Sequence, residues 1–179
     1  ERPLRELLPD DAQFWTPYGA TECLPVAVIE GRELQAMRAR TESGAGTCVG
    51  RAVPPNVVRI IGIDDAPIAH WNDARPVKPG QVGEITVAGP TTTDAYFNRD
   101  AATVLAKIHE TLADGSARVV HRMGDLGYLD GDGQLWFCGR KSQRVVTVVG
   151  SPRRAFAYSP LTSRRSHSAS GVSTKTSTN

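Results

Sequence analysis

Only three cysteines, Cys23, Cys48 and Cys138, occur in the 179 residues. They lie far apart, with no CxxC pair and no histidine at zinc-finger spacing, which excludes a metal site built on them. Each reads as a small buried hydrophobe, and an odd count fits reduced thiols in a cytoplasm. Long apolar runs are also missing: none approaches the roughly 18 residues of a spanning helix. The chain opens at Glu1 with neither methionine nor a basic-then-apolar leader, so no secretory signal is visible. "ERPLRELLPD" reads as the tail of a helix already under way, as expected of a piece cut from a longer protein. His70, His109, His121 and His167 show no metal-ligand spacing and read as surface or locally satisfied side chains. No GxSxG elbow and no internal repeat is present.

Acidic residues are absent from the last stretch. Residues 151–179 hold five of the 21 Lys+Arg and no Asp or Glu, leaving 16 basic against 19 acidic groups in residues 1–150. Twelve of those 29 residues are Ser or Thr, so the tail cannot bury enough apolar surface to offset the entropy of ordering, and disorder is expected. Such a tail could contact phosphates. No aromatic platform accompanies the charge, however, and the abrupt change after Gly150 resembles a GC-rich gene read out of frame. Nucleic acid is therefore not expected as a partner. The division is residues 1–149 as an ordered unit and 150–179 as a tail.

The 40% hydrophobic content is ordinary for one globular domain. "LPVAVI", "NVVRIIGID" and "GEITVAG" are short apolar or β-branched runs bounded by turn residues, and the last two read as strands. "RELQAMRART" has helix-forming composition, with Leu34 and Met37 three apart. Asn98 is placed to cap a helix over "RDAATVLAKIHETLAD", with Ala102, Leu105, Ile108 and Leu112 on one face and Gly115 closing it. "LGYLD" and "QLWFCGR" joined across "GDG" signal a hairpin. The sum is a strand-dominated, mixed α/β unit with a couple of surface helices.

Two stretches carry chemistry. "WTPYGATECLPV" sets Tyr18, Gly19, Ala20, Thr21 and Glu22 in unbroken order. This is either a polar turn between buried segments or a set of groups facing one polyphosphate ligand. In "RMGDLGYLDGDGQLWFCGRK", Asp125 follows a strand and a glycine, which would present its carboxylate at a strand end. Two acceptor oxygens suit a ribose cis-diol, although a turn aspartate reads the same way. Arg140, fifteen residues on, adds a donor fork for a sugar hydroxyl or phosphate, or else a surface ion pair.

"TPYGATE", "GEITVAGP", "YFNRDAAT" and "MGDLGYLDGDGQLWFCGRKSQRV" resemble, in order and spacing, the motifs of the AMP-forming adenylating enzymes: acyl-CoA synthetases, luciferases and nonribosomal adenylation domains. "LPVAVIEG", "GTCVGRAV" and "VVHRMGDLGYLD" look closer still to the fatty-acyl-AMP ligase relatives that act as β-lactone synthetases in bacterial olefin biosynthesis. The resemblance runs from about Phe14 to Val149. It implies the C-terminal part of the large N-terminal domain, including its distorted β-barrel subdomain.

It further implies ATP or AMP and Mg²⁺ as cofactors. Tyr18 would pack on adenine, Gly19 and Ala20 would lie along the ligand, and Thr21 would bond the α-phosphate. Glu22 would hold Mg²⁺, and Asp125 and Arg140 would grip the ribose. The substrate would be a fatty or β-hydroxy fatty acid, and the partners the remainder of the parent chain and other olefin-biosynthesis enzymes. The family's Gly/Ser/Thr-rich phosphate loop and its catalytic lysine have no counterpart here, and Ser142 stands where many members carry Asp or Lys. These 179 residues alone are expected not to form an acyl adenylate at a useful rate.

Overall fold

The computed structural model describes residue 9 and residues 11–144. The two termini, including the tail and His167, lie outside the described residues. Eight antiparallel strands form the frame: β1 (Trp15–Ala20), β2 (Cys23–Glu30), β3 (Thr47–Ala52), β4 (Val57–Ile61), β5 (Gly83–Ala88), β6 (Lys107–Thr111), β7 (Ala117–Leu129) and β8 (Leu135–Arg140). Their order is β1-β2-β3-β8-β7-β5-β4, with β6 also pairing β7. The end strand β1 carries Pro17, which sheets tolerate at an edge because proline has no N–H to donate to a ladder. The helices are short: α1 (Gly31–Ala36), α2 (Arg38–Arg40) and α3 (Asp100–Ala106).

The apolar runs became strands for the reason their composition gave: β-branched side chains pack well on a pleated, buried face. All six residues of β5 are buried, and Ile85 and Val87 join Val26, Val58, Ile60 and Leu135 in the main core. Leu34 and Met37 pack against Ile29, Cys48 and Trp136, although the helix breaks at Met37. Cys23 and Cys48 are core residues. The expected hairpin is present as β7–β8, its turn fixed by Asp130, whose carboxylate accepts from the Asp132 and Gln134 amides and from Trp136 Nε1.

One element departs from expectation. The helix over 99–114 stops at Ala106, and Lys107–Thr111 pairs with β7 from His121 back to Ala117. Spacing of three between Ala102, Leu105 and Ile108 mimics a helical face. Along β6, however, Ile108 and Glu110 are buried while His109 and Thr111 are exposed, and Leu105 is 43% exposed. Ladder pairing overrides local propensity here. Gly115, at φ 82°, closes the β6–β7 hairpin and not a helix, and Asn98, at φ 53°, makes no cap: Arg99 precedes the first turn.

Glu110 is buried because it has partners. Arg59 meets it with two N–H···O bonds of 2.6 Å each, Arg118 adds one of 2.7 Å, and the Arg59 guanidinium lies 3.4 Å from the Trp71 ring centroid. The Arg59 fork, aided by Arg118, holds the Glu110 carboxyl down at about 2. A carboxylate depressed in the fold stabilises it above the ordinary value of 4.5, and that contribution disappears as pH falls toward 2. Glu110→Gln should therefore lower stability at neutral pH and flatten the loss between about 4.5 and 2. Urea denaturation midpoints across that range check this.

Candidate functional site

β7 is the longest strand, and its neighbours change along one edge. Its first half pairs with β6 up to Lys107↔His121, and its second half pairs with β8 from Asp125↔Arg140. Arg122, Met123 and Gly124 lie between, and the β5–β7 register shifts at the same level, between Glu84 and Thr86. Gly124 adopts φ 65° there, where no β-carbon would meet another atom. An irregularity of this kind bends a strand and re-aims side chains.

A cleft of about 520 Å³ opens at this fork. Residues 121–124 of β7 line it, with Leu105 and Ala106 on one side, Arg140 and Lys141 on the other, and Ala20, Thr21 and Glu22 from the β1–β2 hairpin. The seven residues expected at one ligand thus split into two groups. Ala20, Thr21, Glu22 and Arg140 face the cleft; Tyr18, Gly19 and Asp125 do not line it.

Within "YGATE", Thr21 and Glu22 form the turn of a hairpin and also line the cleft. Gly19 is required by the turn: a β-carbon there would sit 2.5 Å from the Cys23 carbonyl oxygen. Ligand approach is not needed to explain it. Asp125 is likewise not at a strand end. It sits inside β7, 2% exposed, where the Tyr18 hydroxyl donates to Oδ2 at 2.7 Å and Arg140 Nη1 lies 2.8 Å from Oδ1. That guanidinium is off the hydrogen-bond axis, and Oδ1 has no hydrogen-bond partner. Burial pushes the Asp125 carboxyl up, while Tyr18 and Arg140 pull it back. Burial first, and then Asp125, drives Tyr18 far above the usual phenol range, so it stays a donor.

Three further groups were not expected at the site from sequence. Tyr96 holds the Glu22 carboxylate below the usual carboxyl range, with His121 and Lys107 adding to the effect, while burial and Glu22 push Tyr96 up to about 12. Lys107 itself is 3% exposed and donates to the Thr93 carbonyl and hydroxyl. His121, 2% exposed, lines the cleft and is driven down to about 4, chiefly by burial and then by Lys107; it is neither a surface histidine nor fully satisfied, since Nδ1 lacks a partner. "YFNRDAAT" was the signal for Tyr96. Nothing local marks the other two.

Beneath the cleft, Arg122 and Glu84 pair at 2.7 Å with side chains 2% and 1% exposed. Arg122 also donates to the carbonyls of Asp64, Ala66 and Leu105, and Lys141 Nζ reaches Glu84 at 3.1 Å and the Asp64 carbonyl at 2.9 Å. Arg144 pairs with Asp65. The segment after Arg140 is thereby tied to the loop after β4.

With this geometry in hand, comparison gives a class. The chain is 33% identical over 147 residues to an indoleacetate–CoA ligase of Aromatoleum aromaticum, covering 82% of this chain and 24% of that one. Its fold superposes on the crystal structure of CmiS6 with a TM-score of 0.54 at 31% identity, over 76% of this chain and 29% of that one. It also superposes on O-succinylbenzoate coenzyme A synthetase of Bacillus subtilis, solved with ATP and a magnesium ion. That match, with a TM-score of 0.52 at 23% identity over 76% and 23% of the two chains, speaks for the fold alone. The chain has the sequence and fold of part of an AMP-forming adenylating enzyme.

Within that class, higher identity is to two olefin beta-lactone synthetases. These are 73% identical over 147 residues in Stenotrophomonas maltophilia and 70% over 147 residues in Xanthomonas campestris, each match covering 82% of this chain. The chain spans about a quarter of the length of these relatives, 27% and 26%. No family model matches. Among the described residues no helix is long and apolar enough to cross a membrane.

The buried ion pair yields a stability prediction. Glu84→Gln leaves Arg122 as an uncompensated buried cation, at about 3–5 kcal/mol. Lys141→Met removes the second cation from a pair that survives, and should cost less than Glu84→Gln. Urea denaturation of the intact protein measures both.

Proposed function

We propose that the protein carrying this chain activates a fatty or β-hydroxy fatty acid as its acyl adenylate and then closes it to a β-lactone. The observation that carries this reading is the convergence of Thr21, Glu22 and Arg140 on one cleft, with Asp125 beside it, in a chain 70–73% identical to olefin beta-lactone synthetases. The substrate carboxylate would attack the α-phosphorus of ATP and expel pyrophosphate. The β-hydroxyl oxygen would then attack the activated carbonyl carbon, losing its proton as AMP leaves. Little covalent chemistry falls to the protein, so alignment and charge stabilisation dominate.

Each residue has a task in this reading. Thr21 donates to the α-phosphate from the hairpin turn, where Ala20 lies along the nucleotide and the acyl group. Arg140, with its side chain 54% exposed, is free to reach a sugar hydroxyl, and Asp125 offers the acceptor. Tyr18 supplies the flat face for adenine, with Gly19 shaping the turn that carries it. The donor set fits Mg²⁺: one carboxylate, Glu22, kept ionised by Tyr96, beside a hydroxyl and phosphate oxygens. Held there, the ion would neutralise charge on the phosphates. Free, buried Cys23 and Cys48 support a cytoplasmic setting, and other olefin-biosynthesis enzymes are natural partners.

The test uses the intact protein with ATP, Mg²⁺ and a β-hydroxy fatty acid, with and without coenzyme A. Pyrophosphate, AMP and a β-lactone should form without coenzyme A, and Glu22→Gln should slow pyrophosphate release by about 10²–10³. A thioester formed only with coenzyme A would instead make the protein a fatty-acid–CoA ligase. Absence of substrate-dependent pyrophosphate release would end the reading altogether.

A further inference from the structure

Among the described residues lining the cleft, His121 alone carries a buried side-chain polar atom with no hydrogen-bond partner, its Nδ1. The residue is 2% exposed and sits within β7, so protein closes the ring on every side but the cleft that it lines. A polar atom left unpaired inside a protein is costly, and the cleft is the side from which a partner can arrive. The lining there is apolar. Leu105 and Ala106 share the rim with His121, Ala102 and Met123 add to the lining, and the charged groups Arg140 and Lys141 stand across the opening.

The chemistry of the neighbours narrows what that partner is. Burial, and then Lys107, drives the imidazole down to about 4, so at neutral pH it is uncharged and holds one bare nitrogen that accepts. Acceptors are scarce in the cleft: Thr21 and Arg140 are donors, Tyr96 is pushed up to about 12 and keeps its proton, and Glu84 is held by Arg122 and Lys141. Glu22 is the acid proposed to hold Mg²⁺. A neutral acceptor between apolar walls suits a hydroxyl on a hydrocarbon chain. It does not suit a phosphate, which takes donors and positive charge.

We propose that His121 is the specificity-determining residue for the acyl group, its Nδ1 accepting a hydrogen bond from the β-hydroxyl of the substrate. This rests on the β-lactone reading and deepens it: the hydroxyl that closes the ring is also the group by which the acid is selected.

Initial rates of pyrophosphate release are measured on the intact protein with ATP, Mg²⁺ and three fatty acids of one chain length, β-hydroxy, β-fluoro and unsubstituted. By kcat/KM the β-hydroxy acid should lead the unsubstituted one by about tenfold, the worth of one hydrogen bond. The β-fluoro acid keeps a polar substituent but has no proton to donate, and should fall with the unsubstituted acid. His121→Phe keeps a flat ring without nitrogen and should lose the preference. His121→Gln moves the polar group away from the Nδ1 position, should lose it as well, and serves where the phenylalanine variant does not fold. Each ratio is taken within one protein, so it does not depend on the fraction folded. Either variant keeping the whole preference would overturn the proposal while leaving adenylation in place, as would an intact protein that uses the β-fluoro acid as well as the β-hydroxy acid, or all three alike. No pyrophosphate release with any of the acids would overturn the adenylating reading and the proposal with it.

Discussion

One strand with two successive partners on the same edge organises everything around it. Hydrogen bonds to β6 run out at His121 and those to β8 begin at Asp125, so Arg122, Met123 and Gly124 present backbone and side chains to an opening. Sheets ordinarily avoid such gaps, because unpaired backbone groups must find other partners. Here the gap is flanked by side chains that supply charge and hydrogen bonds: Arg122 and Glu84 below, Arg140 and Lys141 on one rim, His121 on the other. The cleft is thus a product of ladder geometry more than of loops.

β4 and β5 were legible because burial on a pleated face selects β-branched residues, and "NVVRII" and "GEITVA" show that selection locally, whereas β1 and β3 carry no such run. The β7–β8 hairpin was legible from "DGDG", since the turn bonds to Asp130 are contained within five residues. β6 was not legible. Its buried Glu110 violates apolar alternation, and the arginines that permit it come from 51 residues before and eight after. A local window sees only the helical spacing of Ala102, Leu105 and Ile108.

The site divides in the same way. Residue types in "YGATE" and "GD…GR" pointed to a nucleotide, and Thr21, Glu22 and Arg140 do share a cleft. Spacing could not reveal that Asp125 would be buried inside a strand, nor that Tyr18 would bond it. His121 and Lys107 owe their surroundings to the β6–β7 pairing, which sequence had assigned to a helix, so no residue-by-residue reading could bring them to the acid at position 22.

The pairing of Tyr18 with Asp125 spans 107 residues, whereas Asp125 and Arg140 meet across a single hairpin. Closing a short loop costs little chain entropy, and long-range closure is the slow part of forming a sheet. The two contacts to Asp125 therefore mature on different schedules. The arginine–carboxylate contact can form as soon as its hairpin zips, and the phenol arrives only when β1 has been brought to β7. The Tyr18–Asp125 bond is the last of these contacts to form, which makes it an internal reporter of completed folding.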